Sequence, residues 1–318
     1  MSMKILVNDR ISQSGIQALQ NAGFEVNTTK VAQEQLINYI NKNAIEILLV
    51  RSATEVNKEV IDNCPSLKIV GRAGVGMDNI EVEYAKKKGI KVINTPEASA
   101  ASVAELVFAH LYSGVRFVHD SNRNMPLEGD SKFNMLKKAY SKGLELKGKT
   151  LGIVGFGKIG QATAKIALGI GMKVMYHDHH REEITVTVPF FDGQSVSFVL
   201  KNNSMEELLK SADFFSMHVP AQKHYAIGKK EFELMKDGVG IINTARGGVI
   251  DEVALVDALE NGKVLFAGLD VYESEPNPEI RILMHPQISL TPHIGGSTIE
   301  AQERIAMELA KLIIDTSK

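Results

Sequence analysis

Residues 150–178 set a glycine-rich turn between two apolar runs, and no other stretch of the chain restricts the fold as tightly. Residues 150–154 read as a strand, Gly155-Phe156-Gly157-Lys158-Ile159-Gly160 follows, and a helical pattern leads to a second strand ending at Asp178. Strand, turn, helix and strand in that order form one crossover unit of a parallel sheet. Gly155 permits the tight turn, Gly157 lets the backbone approach a pyrophosphate, and Gly160 lets the helix pack on the sheet. The helix start, with Lys158 and Ile159 in its first turn, offers unpaired N–H groups and a positive dipole end to phosphates. Asp178 stands eighteen residues past Gly160. A carboxylate at that distance binds ribose hydroxyls and repels a 2′-phosphate, so the expected cofactor is NAD.

The chain has 318 residues, a length that suggests about two domains. A net charge of −2 gives no electrostatic footprint for nucleic acid or an anionic membrane. Cys64 is the single cysteine, which excludes an internal disulfide, fits a reducing compartment, and reads as a small buried hydrophobe. No secretory signal and no long uncharged apolar run is visible, so a cytoplasmic protein is expected. The run His177-Asp178-His179-His180 invites a metal, because His177 and His179 share a face of an extended strand. Asp178 is better employed on ribose and no further ligand set is evident, so no metal is expected. Arg181, close by, is a feature able to admit NADP in part.

The first hundred residues alternate short apolar strands, at 4–8, 24–26, 46–50, 68–71 and 91–93, with amphipathic helices at 11–22 and 33–43. Ser102-x-x-Glu105 reads as a capping box for a long helix with apolar positions from Val103 to Val118. A second alternating series begins at Thr150, with later strands at 214–217, 239–243, 264–267 and 288–290. A second capping box, Ser297-x-x-Glu300, starts the last helix. This alternation predicts an α/β fold of doubly wound parallel sheets, covered on both faces. Residues 184–199 break it: they alternate with period two around Asp192-Gly193 and read as a β-hairpin on the surface.

In open α/β sheets, ligands bind beyond the carboxyl ends of the strands. Besides the glycine turn and Asp178, those ends carry His218-Val219-Pro220, Thr244-Ala245-Arg246 and Asp270. Five loops therefore converge on one crevice. Removing hydride from an alcohol carbon needs a base for the hydroxyl proton, and His titrates near neutrality. A carboxylate beside it fixes its tautomer, and a guanidinium grips a substrate carboxylate with two parallel donors.

Three segments, Asn243–Asp251, Gly268–Pro276 and Thr291–Ser297, resemble the signatures of the D-isomer-specific 2-hydroxyacid dehydrogenases, and the resemblance spans nearly the whole chain. Within that family it is strongest toward the D-3-phosphoglycerate dehydrogenases, at Val50-Arg51-Ser52-Ala53-Thr54 and at residues 70–79. The resemblance implies that Arg246 binds the substrate carboxylate, that His293 is the acid–base, and that Glu275 is its partner. It implies Asp270 on the nicotinamide carboxamide, with Gly295 and Gly296 also near the cofactor. It further implies a discontinuous flavodoxin-like substrate domain, residues 1–98 plus 292–318, around a Rossmann-like NAD domain at 99–291.

In the substrate domain, Gly74, Val75 and Gly76 can present an N–H nest to a carboxylate, and Arg51, Ser52 and Arg72 can receive a phosphate. The implied reaction is oxidation of 3-phospho-D-glycerate in serine biosynthesis, by a homodimer or dimer of dimers without a regulatory C-terminal domain. Two departures stand out: Ser99 replaces the asparagine usual in phosphoglycerate dehydrogenases, and the loop 220–225 lacks the family's threonine. The alternatives are a glyoxylate or hydroxypyruvate reductase and, from another class, an NAD-sensing module resembling the co-repressors that share this fold.

Overall fold

The computed structural model describes residues 2–317. The chain divides into two compact units, Met1–Ala100 with Gly296–Lys318, and Ala101–Gly295.

The first unit holds strands β1 (Lys4–Val7), β2 (Glu25–Asn27), β3 (Ile47–Val50), β4 (Ile69–Arg72) and β5 (Lys91–Asn94). They form one parallel sheet in the order β2-β1-β3-β4-β5. Alternate residues feed two cores: Leu6, Leu48 and Val50 pack on one face, and Ile5, Ile47 and Leu49 on the other. Burial on both faces explains why these strands read as continuous apolar runs rather than alternating ones. The last helix, Ile299–Thr316, returns to this unit and packs against the helix Gln13–Asn21, where Gly15 lies against Ala306.

The second unit carries β6 (Thr150–Val154), β7 (Lys173–His177), β8 (Glu183–Pro189), β9 (Ser195–Lys201), β10 (Phe214–Met217), β11 (Val239–Asn243), β12 (Val264–Leu269) and β13 (Ile288–Leu290). Six of them form a parallel sheet ordered β13-β12-β11-β10-β6-β7. Beyond β7 the sheet continues only as a single parallel bridge, Tyr176 to Asn202. The place of a third Rossmann strand is thus reduced to one residue. Strand order reverses between β6 and β10, and that switch point opens the ligand crevice at their carboxyl ends.

β8 and β9 form the expected antiparallel hairpin, paired from Glu183↔Lys201 to Pro189↔Ser195 with Gly193 at φ +84° in the turn. Val186 and Val188 are buried on the face that meets the helix Lys158–Gly169. Cys64 is buried, and burial pushes its thiol up to about 11.

Three local expectations need correction. The long helix runs over Ala100–Val115, so Ser102 lies inside it and caps nothing; its hydroxyl donates to the Gly295 carbonyl at 2.6 Å instead. That helix stops before Val118, because Phe117 turns left-handed at φ +55°, and helices Val118–Glu128 and Phe133–Ala139 follow. Val115 and Val118 keep helical spacing, so periodicity ran straight through the break. The last helix is capped by Thr298, which accepts from the Ala301 N–H, rather than by Ser297.

Candidate active site

The candidate residues of the second unit stand on the loops that follow β6, β7, β10, β11, β12 and β13. After β6 the chain turns at Gly155 (φ +90°), where a Cβ would lie 2.6 Å from the His218 carbonyl oxygen after β10. Gly157, the N-cap of the helix Lys158–Gly169, has open space where its Cβ would stand, so its backbone is accessible to a ligand. Lys158, Ile159 and Gly160 form the first turn of that helix.

Asp178 ends β7 almost buried. Its carboxylate accepts from the Phe156 N–H at 2.7 Å and the His180 N–H at 2.9 Å, and pairs with Arg181 at 3.1 Å. Burial alone would raise its pKa; the two amide donors and Arg181 outweigh it and hold the group below its ordinary value. Asn202 holds the Asp178 backbone at both ends, accepting from its N–H at 2.9 Å and donating to its carbonyl at 2.8 Å.

His218 places Nε2 2.9 Å from the Ser216 hydroxyl and 3.2 Å from that of Thr163, and burial pushes its pKa down to about 3. Its Nδ1 and the Thr244 hydroxyl are buried without a hydrogen-bond partner among the described residues. Buried polar atoms of this kind cost free energy unless something completes them. An open glycine cradle at a helix N-terminus, a strand-end carboxylate and two orphaned polar atoms together fit a dinucleotide. Val219 and Pro220 continue the same loop, and Val219 also touches Gly155.

The Arg246 loop is built by Asn243, whose side chain donates to the Arg246 carbonyl at 2.9 Å and accepts from the Ala245 N–H at 3.0 Å. A Cβ at Gly247 would overlap the Tyr272 carbonyl, so this loop sits directly on the one that carries Glu275. The Arg246 guanidinium donates to the Ala245 carbonyl at 2.6 Å. Glu275 accepts the Tyr272 N–H through Oε1 at 3.0 Å and meets His293 Nδ1 through Oε2 at 2.8 Å. That contact assigns the proton to Nδ1 and leaves Nε2 with its lone pair in the neutral ring. Half of the His293 side chain is exposed. A cavity of 430 Å³ adjoins the pair, walled by Tyr272, Pro278, Leu283 and Leu290.

His293 adopts φ +55°, a conformation costing about 1 kcal/mol for a residue with a Cβ. Asp270 holds it there. Its carboxylate accepts the Ile294 and Gly295 N–H groups, each at 2.8 Å, and the Thr291 hydroxyl at 2.6 Å. Asp270, which the resemblance puts on the nicotinamide carboxamide, clamps the His293 loop. Asn202 was missed, since a lone polar residue at a strand end carries no motif; Asn243 and Thr291 open two of the resembling segments without a role of their own.

The remaining predicted residues lie in the first unit. Val50 and Arg72 pair across β3 and β4, so Arg51 and Arg72 stand at neighbouring strand ends. Asp9 accepts the Arg51 N–H at 2.7 Å, and Asn79 donates to the Arg51 carbonyl at 2.7 Å. The Arg72 guanidinium folds over Gly74, whose φ of +145° favours glycine. Asn94 donates to the Val75 carbonyl at 2.7 Å, and Ser52 and Gly76 lie in the same pair of loops. Gly296 opens the last segment of this unit, beside Ser99. Among the described residues no cluster suited to a metal ion occurs, and no helix is long and apolar enough to cross a membrane.

Comparison with known proteins adds the following. The profile of the D-isomer specific 2-hydroxyacid dehydrogenase NAD binding domain matches residues 108–295. A hydroxypyruvate reductase of Thermotoga maritima is 42% identical, over 98% of this chain and 97% of its own length. A D-3-phosphoglycerate dehydrogenase of Methanocaldococcus jannaschii is 39% identical over 98% of this chain, which spans 57% of that protein. The crystal structure of D-mandelate dehydrogenase from Rhodotorula graminis superposes with a TM-score of 0.85 at 27% identity, covering 98% of this chain and 94% of that one.

Proposed function

The chain belongs to the D-isomer-specific 2-hydroxyacid dehydrogenases, NAD-dependent oxidoreductases acting on CH–OH groups, and from that premise we propose that it oxidises 3-phospho-D-glycerate to 3-phosphohydroxypyruvate. The observation that carries the substrate is the pair of arginines, Arg51 and Arg72, at neighbouring strand ends. Arginine suits a phosphate because its planar fork donates two parallel hydrogen bonds. Arg246 binds the substrate carboxylate, and the N–H groups of Gly74, Val75 and Gly76 suit an acid group.

Bound NAD supplies the acceptor for the hydride that leaves C2. His293 takes the hydroxyl proton on Nε2, and Glu275 stabilises the imidazolium that forms. Arg246 polarises the carbonyl as it develops. In the reverse direction His293 returns that proton. Asp178 engages the adenosine ribose, and the helix start at Lys158 faces the pyrophosphate. This reading places the enzyme in serine biosynthesis, in the cytoplasm and as a homodimer.

A second reading, reduction of hydroxypyruvate or glyoxylate, is favoured by the near full-length match to the Thermotoga maritima reductase and by Ser99. The two share every catalytic residue. NADH-dependent reduction of phosphohydroxypyruvate, hydroxypyruvate and glyoxylate by the purified protein separates them. A kcat/KM at least tenfold higher for phosphohydroxypyruvate supports the first reading; preference for an unphosphorylated acid replaces it with the second. No turnover with any of the three leaves an NAD-sensing binding module.

A further inference from the structure

His110 has no part in the chemistry above, yet it is wired to it. It lies on the helix Ala100–Val115, 2% exposed, with Nδ1 2.9 Å from the Ser289 hydroxyl and Nε2 3.1 Å from the Thr291 hydroxyl. Thr291 in turn reaches Asp270 at 2.6 Å. A carboxylate receiving two amide N–H groups acts only as an acceptor, so the single Thr291 proton points to Asp270. The Thr291 oxygen can then only accept from His110, which puts the ring proton on Nε2. Nδ1 is left to accept from Ser289, whose hydroxyl lies 2.9 Å from it against 3.4 Å from that of Ser113. Burial, with His119 adding to it, holds the His110 pKa down at about 4, so the ring is neutral at physiological pH. The chain of donors therefore runs one way, from Ser289 through His110 and Thr291 to Asp270.

Asp270 carries that order into the catalytic loop, because its two oxygens hold the N–H groups that follow left-handed His293. We propose that His110 is a positioning residue for proton transfer: its Nε2–H, acting through Thr291, fixes Asp270 and thereby the aim of His293. This inference rests on the reading of His293 as the acid–base.

Two substitutions test it against a packing role. The amide nitrogen of glutamine reaches the Nε2 position and still donates to Thr291, whereas asparagine reaches only the Nδ1 position and cannot. Both are polar and uncharged, so a site that needs only filling would be disturbed by both. We expect His110→Asn to lower kcat about tenfold, on the scale by which misplaced catalytic groups lose rate, and His110→Gln to stay within about threefold of the parent. The Kd for NADH, from fluorescence titration, should change less than about twofold in either. Equal losses in the two variants, or an unaffected His110→Asn enzyme, would overturn the proposal.

Nitrogen-15 NMR of histidine-labelled wild-type protein gives a second reading that needs neither turnover nor a variant. A neutral Nε2–H ring at pH 7 is expected for His110; a Nδ1–H or charged ring overturns the relay. Should no tested acid be turned over, the substrate reading fails, while the tautomer still decides the role of His110.

Discussion

At the carboxyl edge of the five-stranded sheet, buried Asp9 accepts the N–H groups of Arg51 and Thr54 and the Thr54 hydroxyl, with Lys30 paired to it at 2.6 Å. At the same edge of the six-stranded sheet, Asp178 holds the Phe156 and His180 amides, and Asp270 holds those of Ile294 and Gly295. The device is the same: an aspartate at one strand end pins the loop of another segment. What the pinned loops present differs. In the second unit they present an open glycine turn, a strand-end carboxylate and an imidazole held by Glu275, to which the proposed function gives the chemistry common to the family. In the first unit they present two arginines and a run of backbone amides, to which the proposed function gives the choice among acids.

Substitutions in the six-stranded unit should therefore damage every substrate alike, and substitutions at Arg51 should damage one class. The largest effect belongs to His293→Ala. General acid–base groups supply about 10²- to 10⁴-fold, so kcat should fall by about that factor on all acids. NADH binding measured by calorimetry should persist; unimpaired turnover would break the comparison on its catalytic side.

Asp178→Asn comes next. Loss of a charged acceptor is worth about 1.5–3 kcal/mol, so the Kd for NADH should rise at least about tenfold while discrimination against NADPH shrinks. Arg181, already paired with Asp178, would then be released toward a 2′-phosphate. An unchanged ratio of NADH to NADPH affinity would remove Asp178 from cofactor selection.

Smaller and selective is Arg51→Ala. The KM for phosphohydroxypyruvate should rise about three- to tenfold, with that for hydroxypyruvate unmoved, Arg72 retaining part of the grip. Equal shifts for both acids would merge the two units into one role and sink the phosphate assignment.

The smallest effect concerns acid stability. Burial works to raise Asp9, but Lys30, the Arg51 N–H and Thr54 together hold it below 3.8; Asp178 is likewise depressed. A carboxylate whose pKa is lower in the folded state stabilises the fold at neutral pH and loses that contribution as pH falls through the folded value. The melting temperature should therefore drop below about pH 4, with a shallower acid limb in Asp9→Asn. An identical limb in that variant would show that Asp9 clamps nothing.

Much of the site was legible because its parts are local in sequence. The glycine turn, Asp178, and the loops of Arg246, Glu275 and His293 each follow an apolar strand, and hydride chemistry explains the residue types. The Glu275–His293 contact at 2.8 Å follows from placing two such loops side by side. His110 was illegible, because it matters only through a partner far along the chain. His110 and Thr291 are 181 residues apart. The helix break at Phe117 was hidden for a different reason: the apolar spacing it interrupts carries on beyond it.

By itself the sequence determined the alternation of strands and helices, the parallel sheets and the glycine turn of an NAD-binding domain. Each depends on short-range periodicity or on a residue type that the chemistry requires. Tertiary structure decided the strand order, the reduction of a third Rossmann strand to one bridge at Asn202, and the use of Asp270 as a clamp for left-handed His293. Those depend on which buried donor meets which acceptor once distant segments are packed, and no local pattern encodes that meeting.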